Sequence, residues 1–280
     1  MIQSILEFIE DNSTAISIVT NVFVGIAGFF ANKGWERIKQ ARTISDLRLL
    51  KGRNCKIVLP TYTNIDLSPK HRTPILFNVN EQGDVLASLN IISFVRKLGL
   101  QFDEEYYAVR ERSNQVIADN NVFCIGGLTA NEQTKVYFSR FFPNFRIFNK
   151  NLKMNDKEGQ KIYIYDETKR GFCWGEGKEF TVSAEEHYAI LVRLTKEDFD
   201  IEDAGTVYIL YGNKAESTLS ASKYFLCQMK DMIKRTKRRK HFFIVMRIQE
   251  ANGILTPYFD KDYDLTDEMF PKNSERKLKI

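Results

Sequence analysis

The sequence contains few of the residues from which disulfide frameworks, metal centres and nucleophilic active sites are built. Its 280 residues include four cysteines and three histidines, and no two cysteines form a CxxC pair. Isolated cysteines in apolar surroundings behave as small hydrophobic residues, so neither a disulfide framework nor a zinc site is expected. We therefore expect no metal and no cofactor, and thiols without partners agree with a reducing cytoplasm.

Common phosphate-binding and hydrolase motifs are absent too. The sequence has no G-x-G-x-x-G, no G-x-x-x-x-G-K-[ST] and no G-x-S-x-G. A dinucleotide-binding fingerprint, a P-loop NTPase and a nucleophile-elbow hydrolase therefore have no support. The histidines His71, His187 and His241 are isolated, and His187 begins an apolar strand, which is typical of a packed core residue.

One long uncharged run lies near the N-terminus. Thr14 to Asn32 is 19 residues long, and as a helix it would measure ~28 Å, enough to cross the hydrocarbon of a bilayer. Acidic residues precede the run and Lys33, Arg37 and Lys39 follow it, which predicts an outer N-terminus and a cytoplasmic C-terminal domain. A cleavable signal peptide is disfavoured because its positive charge should come first. The sequence predicts a single-pass protein of the inner membrane.

Small and polar residues recur through this run at helical spacing. They are Thr14, Ser17, Asn21, Gly25, Gly28 and Asn32. Small residues let helices approach closely and asparagine can hydrogen-bond across the contact, so the expected partner is the same stripe on another copy. Two interpretations remain open, an interface that only oligomerises the chain and a stripe that lines a pore.

The pattern of strands and helices divides the chain into three predicted regions. These are an N-terminal segment with a transmembrane helix over 1–32, a helical connector over 33–52 and a cytoplasmic domain over 53–280. In the last region, a strand, a glycine turn and a capped helix follow one another at Asn121–Ile125 and again at Val207–Tyr211. This repetition predicts an α/β, Rossmann-like domain with a mixed, mainly parallel sheet.

Ligands of such sheets bind beyond the carboxyl ends of the strands, where glycine turns and helix N-termini present N–H groups to anions. The predicted ligand-binding residues are Pro60, Thr61, Tyr62, Gly126, Gly127, Thr129, Asn131, Gly212, Asn213, Lys214 and Ser217. Ordinary helix capping explains any one of these turns, but three turns at one edge favour a phosphate-sized site. Tyr62, Tyr211 or Trp174 could stack a base.

A basic run follows the last predicted long helix. Lys234 to Lys240 holds six positive charges in seven residues. The predicted phosphate contacts are Lys234, Arg235, Lys237, Arg238 and Arg239. A run of this kind is commonly a solvated surface, but it can attract the phosphates of nucleic acid or of lipid headgroups, and these alternatives remain open.

The stretches VFCIGGLTANEQT (Val122–Thr134) and VYILYGNKAESTLSASKYF (Val207–Phe225) resemble the Rossmann-like nucleoside deoxyribosyltransferase-related domains of bacterial defence proteins. With one N-terminal span, the chain is similar to transmembrane effectors of nucleotide-signalling anti-phage systems of the Hailong type. The resemblance implies an oligomeric ion channel or pore for abortive infection, controlled by a nucleotide or a short single-stranded DNA. In the Hailong type this DNA holds the channel closed, and a nucleotidyltransferase makes the signal.

The sequence departs from the transferase pattern because no evident catalytic acid lies beside a ligand loop. This departure favours a binding domain that is not an enzyme. Two alternatives remain, a membrane-anchored enzyme that transfers or hydrolyses N-glycosidic bonds or nucleotides, and a passive scaffold whose span is only an anchor.

Overall fold

The computed structural model describes residues 13–59, 62–66, 75–79, 82–106, 118–128, 131–149, 153–157, 160–164, 170–183, 186–199, 204–236, 239–251 and 254–270. The chain divides into two units, Met1–Ser45 and Asp46–Ile280.

The first unit contains one long helix, α1 (Ser13–Asp46). Its 34 residues correspond to a length of ~51 Å. Trp35 and Ile38 are exposed on this helix, and Lys39 lies 5.7 Å from the centre of the Trp35 ring. The uncharged run and the predicted connector are therefore parts of one continuous helix.

The predicted transmembrane helix at Thr14–Asn32 is wrong. Within the part of the chain that the structure describes, no helix is long enough and apolar enough to cross a membrane. The single-pass inner-membrane location that was deduced from the span is corrected with it. The predicted stripe is not tested, because the side chains of Ser17, Asn21, Gly25 and Gly28 lie outside the described residues and Asn32 is exposed.

The second unit is built from strands and short helices. The strands are β1 (Cys55–Leu59), β2 (Tyr62–Asp66), β3 (Ile75–Val79), β4 (Phe102–Tyr106), β5 (Asn121–Ile125), β6 (Arg146–Asn149), β7 (Lys153–Lys157), β8 (Gln160–Ile164), β9 (Arg170–Trp174), β10 (Lys178–Val182), β11 (Glu186–Leu194), β12 (Val207–Gly212), β13 (Phe242–Ala251) and β14 (Ile254–Asp264). The helices are α2 (Gln82–Lys97), α3 (Glu132–Phe141), a 3-10 turn (Lys196–Asp198), α4 (Ala215–Cys227), α5 (Met229–Thr236) and α6 (Thr266–Met269).

Seven strands form the main sheet in the order β14-β13-β11-β12-β5-β1-β4. The pairs β4–β1, β1–β5 and β5–β12 are parallel, and the other three pairs are antiparallel. The sheet is mixed α/β as predicted, but it is not mainly parallel. A parallel pair needs a crossover of about a dozen residues or more, whereas β13 and β14 are joined by two residues and pair directly, with Ala251 opposite Ile254. The strands β11 and β12 also pair antiparallel, with 12 residues between them.

Helices cover both faces of the parallel half of the sheet. Phe225 of α4 packs against Phe123 and Tyr208, and Phe94 of α2 packs against Phe225. On the other face, Phe138 of α3 lies 6.0 Å from Tyr211, ring centre to ring centre. Because alternate residues of a strand point to opposite faces, α2 and α4 lie on one face and α3 on the other.

A small sheet completes the second face. Its order is β10-β9-β6, and its Phe172 stacks on Phe145 and Phe180 and meets Tyr188 of the main sheet. The face is a nearly continuous aromatic core, in which offset and edge-on ring contacts add to the burial of apolar surface. Two further hairpins, β2–β3 and β7–β8, are described as strand pairs.

Candidate functional site

The candidate site is a crevice at the edge of the sheet where the parallel strands end, here called the carboxyl edge. The neighbouring strands β5 and β12 run parallel, with Ile125 opposite Leu210. The helix after β5 lies on one face and the helix after β12 on the other, since α3 packs on Tyr211 and α4 on Tyr208. Such a change of face between adjacent parallel strands opens a crevice at their carboxyl ends, which is where α/β sheets bind ligands.

Two glycines let the turns of this crevice approach each other. A Cβ atom on Gly127 would lie 2.9 Å from the Gly212 carbonyl oxygen and 3.1 Å from the Tyr211 ring. The amide of Gly126 also donates to the Leu210 carbonyl at 2.9 Å, which extends the β5–β12 pairing by one residue. The structure therefore brings the predicted residues Gly126, Gly127 and Gly212 together.

Asn131 holds this edge together from inside. Its side-chain amide donates to the carbonyls of Val58 (3.1 Å) and Ile125 (2.8 Å), the former in β1 and the latter in β5. Its side-chain oxygen accepts the Thr134 amide at 3.1 Å and caps α3, whereas the Thr129–Glu132 spacing had predicted a capping box with Thr129 as the cap. Asn131 is buried and all of these bonds are internal, so it positions the edge and is not placed to contact a ligand.

Asn213 and Ser217 are also committed to internal bonds. The Asn213 side-chain oxygen accepts from the Tyr188 amide and from the Ser217 hydroxyl, each at 3.1 Å. Ser217 is fully buried, and His187, also buried, lies with its Nδ1 3.5 Å from the Asn213 amide nitrogen. The predicted hydrogen-bonding groups of this turn thus attach α4 to β11, and His187 is the packed residue that its apolar strand predicted.

Lys214 is the exposed member of the predicted set at this turn. It is the N-cap residue of α4, its carbonyl accepts the amides of Ser217 and Thr218 at 3.1 Å, and its side chain makes no capping bond. The N-terminus of α2 adjoins it, because a Cβ on Gly83 would lie 2.5 Å from the Ala215 carbonyl oxygen and 2.7 Å from the Glu216 nitrogen. Two helix N-termini therefore meet at the crevice beside one ammonium group.

Two buried phenols form the floor of the crevice on the side of α3. The hydroxyls of Tyr188 and Tyr211 lie 3.3 Å apart, and the Tyr188 hydroxyl donates to the Gly171 carbonyl at 3.4 Å. Burial raises the pKa of Tyr188 to about 12, against a smaller opposing effect of the bond to Tyr211, and raises the pKa of Tyr211 well above its ordinary value. Both phenols are neutral at physiological pH and cannot serve as bases there.

Alkaline pH should test this burial. The Tyr188 phenol has an ordinary pKa of 10 in the unfolded chain and about 12 in the fold, so the folded protein binds more protons between these values. Its stabilising contribution is complete below pH 10 and is lost as the pH rises to 12, a change of about 2–3 kcal/mol. Urea unfolding at a series of pH values should show this loss of unfolding free energy in the parent protein. In Tyr188→Phe the free energy of unfolding should fall less steeply between pH 10 and 12. An equal slope in both would contradict it, and Tyr263→Phe, at an exposed tyrosine, is the control.

The buried thiols of β1 and β5 are not nucleophiles; Cys55 lies at the start of β1, at the other end of the sheet from the crevice. Burial raises the pKa of the Cys124 thiol, which lies on β5, and burial raises the pKa of Cys55 to about 12 against a weaker effect of its bond to Asn121. A thiolate is the reactive form of cysteine, and neither group forms it at neutral pH. Among the residues that the structure describes, no group of three or more His, Cys, Asp or Glu side chains is placed to hold a metal ion.

Several predicted site residues are not found at the crevice. Pro60, Thr61 and Thr129 lie outside the described residues, as do Lys237 and Arg238, and of Tyr62 only its place at the start of β2 is described. Tyr211 and Trp174 are buried, and the Trp174 indole N–H donates to Glu268 at 3.2 Å. These two rings are not available to stack a base.

The basic run lies at the opposite, amino edge of the sheet, where β5, β12 and β13 begin. A strand of five or six residues spans ~17–20 Å, so the run does not extend the crevice. Arg235 donates to the Tyr224 hydroxyl at 2.7 Å, and Arg239 pairs with Asp264 at 2.7 Å. Lys234 is exposed, but the two described arginines of the run hold the fold together.

The sequence did not indicate Tyr188 or Gly83 as parts of this site. Tyr188 reaches the crevice only because β11 pairs antiparallel with β12, and no local pattern specifies that partner. Gly83 lies in the first turn of α2, which begins at Gln82, and its one sequence signal is its place beside the acidic residue Asp84.

Comparison with known proteins adds no assignment to this geometry. No protein-family model matches the chain, and no curated protein sequence matches it. The resemblance to deoxyribosyltransferase-related effector domains therefore depends on the two quoted stretches and stays a prediction.

Proposed function

We propose that Asp46–Ile280 is a binding domain that senses a nucleotide-type anion at the carboxyl-edge crevice, and that α1 associates with α1 of other copies. The observation that carries the proposal is the exposed Lys214 at the N-cap of α4. The nucleotide class of the ligand and a role in anti-phage defence follow from the resemblance of Val122–Thr134 and Val207–Phe225.

Lys214 is a poor residue for the stability of its own helix. Serine, threonine, aspartate and asparagine are preferred at the N-cap, and a cation near a helix N-terminus opposes the macrodipole. Within the described residues its side chain has no ion pair or hydrogen bond, and Glu216 is the acidic group of the first turn. A bound phosphate would be attracted by the ammonium and by both helix N-termini, which explains a lysine at this position.

Binding without catalysis is supported by the state of the other polar groups. Asn131, Asn213 and Ser217 are engaged inside the protein. The nearby phenols and the Cys124 thiol are buried with raised pKa values, so none of them supplies a base or a nucleophile at neutral pH.

Calorimetric titration of the full chain with dAMP, a single-stranded DNA tetranucleotide and inorganic phosphate tests the ligand proposal. We expect saturable binding of a nucleotide or the oligonucleotide, and Lys214→Ala should weaken it about tenfold, since a charge-assisted phosphate contact contributes on the order of 1.4 kcal/mol. Glu216→Gln should strengthen it, and Lys230→Ala, at an exposed lysine of α5, is the matched control.

Two results would count against this assignment. Folded protein that binds none of the three probes contradicts a nucleotide-type site, and undiminished binding by Lys214→Ala contradicts its location. Chromatography of the same mixtures separates binding from the enzyme alternative, because free base released from dAMP would show turnover.

The proposal for α1 follows from its exposed apolar side chains. Five described ones are more than half exposed: Val24, Phe29, Phe30, Trp35 and Ile38. Val24, Trp35 and Ile38 lie within one helical stripe, since their spacings of 11 and 3 residues return to nearly the same side. An exposed apolar stripe on a long helix is typical of an association surface, and a second copy offers a matching stripe.

Light scattering coupled to size-exclusion chromatography should find the full chain as an oligomer at micromolar concentration. The pair Trp35→Asp and Ile38→Asp should lower its mass toward that of one chain, because two carboxylates would be buried in the helix contact. Phe29→Asp makes the same kind of change on the other side of α1 and should have a smaller effect. A monomeric parent protein would contradict self-association.

A further inference from the structure

The segment that follows α1 is fastened to the amino edge of the sheet by side chains. The Tyr208 hydroxyl donates to the Leu47 carbonyl at 2.9 Å, and the Thr206 hydroxyl donates to the Arg48 carbonyl. The Asn121 side chain binds Leu50 twice, accepting its amide at 2.8 Å and donating to its carbonyl at 3.0 Å. The chain leaving α1 is thus attached to the first residues of β5 and β12.

The three side chains that make these bonds are buried polar groups. Asn121 and Tyr208 are fully buried and Thr206 nearly so. Leu47 and Leu49 of the segment are buried as well, so the segment occupies a fitted place on the sheet. Opening the segment would expose two leucines and break four hydrogen bonds. This is a small part of the apolar burial and hydrogen bonding that hold the domain together.

Arg48 makes this segment different from an ordinary loop. Its φ of 58° lies in the left-handed region, and it is the sole described residue other than glycine with a positive φ. This conformation is disfavoured for a residue with a Cβ, and such residues keep it only where their surroundings impose it. Once the hydrogen bonds are released, the backbone of Arg48 gains by leaving this conformation.

The same edge connects the segment to the basic run. Arg193 is fully buried and donates to the carbonyls of Thr236 (3.2 Å) and Arg239 (2.7 Å), with its guanidinium 4.7 Å from the centre of the Phe242 ring. Burial opposes the charge of Glu197, but the Thr195 hydroxyl and the charges of Lys240 and Arg48 hold its pKa below the ordinary value. Arg48 and the basic run therefore share one acidic neighbour.

We propose that Leu47–Leu50 is a latch, a segment at the start of the unit Asp46–Ile280 that opens as a whole while the sheet stays folded. The segment is held by hydrogen bonds from side chains to its backbone, and it does not pair with a neighbouring strand. It also contains one residue, Arg48, in a disfavoured backbone conformation. The strands that hold it, β5 and β12, are those whose other ends form the crevice. The latch is deduced from the amino edge alone and does not depend on any ligand.

Native-state hydrogen exchange of the full chain tests the latch. We expect the Leu50 amide to exchange at least ~100-fold faster than amides in the middle of β5 and β12. Low concentrations of denaturant should leave the Leu50 exchange rate unchanged, because a local opening exposes little surface. Thr206→Val with Tyr208→Phe removes two of the four bonds at little change in volume, and should speed Leu50 exchange by a further factor of about ten.

The matched control is Thr218→Val with Tyr224→Phe, which removes one threonine and one tyrosine hydroxyl from α4. The lost bonds are that of Thr218 to the Lys214 carbonyl and that of Arg235 to Tyr224. It should leave Leu50 exchange unchanged. Arg48→Gly, which accepts the left-handed conformation without strain, should slow Leu50 exchange several-fold. Leu50 exchanging at the rate of the strand amides, with their denaturant dependence, would overturn the proposal. Because no ligand is added, absent nucleotide binding would not affect this result.

Discussion

Replacement of Asn131 by leucine should lower the free energy of unfolding by about 3–4 kcal/mol, which corresponds to a fall in Tm on the order of 10 °C for a domain of this size. The amide donates to Val58 and Ile125 and caps α3. Loss of an N-cap acceptor costs about 1 kcal/mol, and each buried carbonyl left without its donor costs on the order of 1–2 kcal/mol.

Asn90→Leu is the appropriate comparison for that variant. Asn90 is half-buried and donates to the Ser222 hydroxyl at 3.0 Å, so its replacement should cost about 1 kcal/mol. Urea unfolding followed by circular dichroism measures both. A loss in Asn131→Leu no larger than in Asn90→Leu would show that Asn131 does not join β1, β5 and α3. The Asn131 variant should also weaken nucleotide binding, because the crevice depends on that edge.

Replacement of Gly212 by alanine should destabilise the domain by about 3 kcal/mol or more. A Cβ at this position would lie 2.6 Å from the Lys214 carbonyl oxygen and 2.6 Å from the Ser217 carbonyl carbon, and it would also overlap the Thr218 amide. All of these are backbone atoms of the turn and first turn of α4, so no side chain can rotate away. The helix start, and Lys214 with it, must shift.

Gly34→Ala provides the opposite case. A Cβ on Gly34 meets no atom within 4 Å, and the residue lies inside α1, where alanine is favoured over glycine by about 1 kcal/mol. Circular dichroism should therefore show equal or greater helix content in Gly34→Ala. Gly212→Ala should lower the urea midpoint and reduce dAMP binding. An unchanged midpoint in Gly212→Ala would contradict the close approach of β12 and α4.

The local elements of the domain could be predicted because their causes are local. The apolar strand, the glycine turn and the helix start lie within a dozen residues, and the structure contains them as β5, Gly126–Gly127 and α3, although the cap is Asn131 and not Thr129. The second copy, β12 with Gly212 and α4, was found by the same pattern. Hydrophobic period, turn chemistry and capping act over a few residues, so the sequence alone determines them.

Partners in the sheet and partners of side chains were decided by the tertiary structure. No local pattern states that β11 pairs between β12 and β13, which makes half of the sheet antiparallel and brings Tyr188 to the crevice. Asn131, Asn213 and Ser217 have the chemistry of ligand contacts, but distant backbone and side-chain groups occupy their hydrogen bonds. The sequence likewise showed the charges of Arg235 and Arg239. It did not show that Tyr224 and Asp264 are their partners.

The N-terminal run shows the same division. The sequence determined that Thr14–Asn32 is uncharged and helical in period, and that charged residues follow it. The structure contains the run in one 34-residue helix, and no described helix is long enough and apolar enough to cross a membrane. The sequence by itself therefore determined the two strand–turn–helix units at β5 and β12, but not which residues cap their helices. The tertiary structure decided which polar groups remain exposed, because burial and pairing depend on residues far apart in the chain.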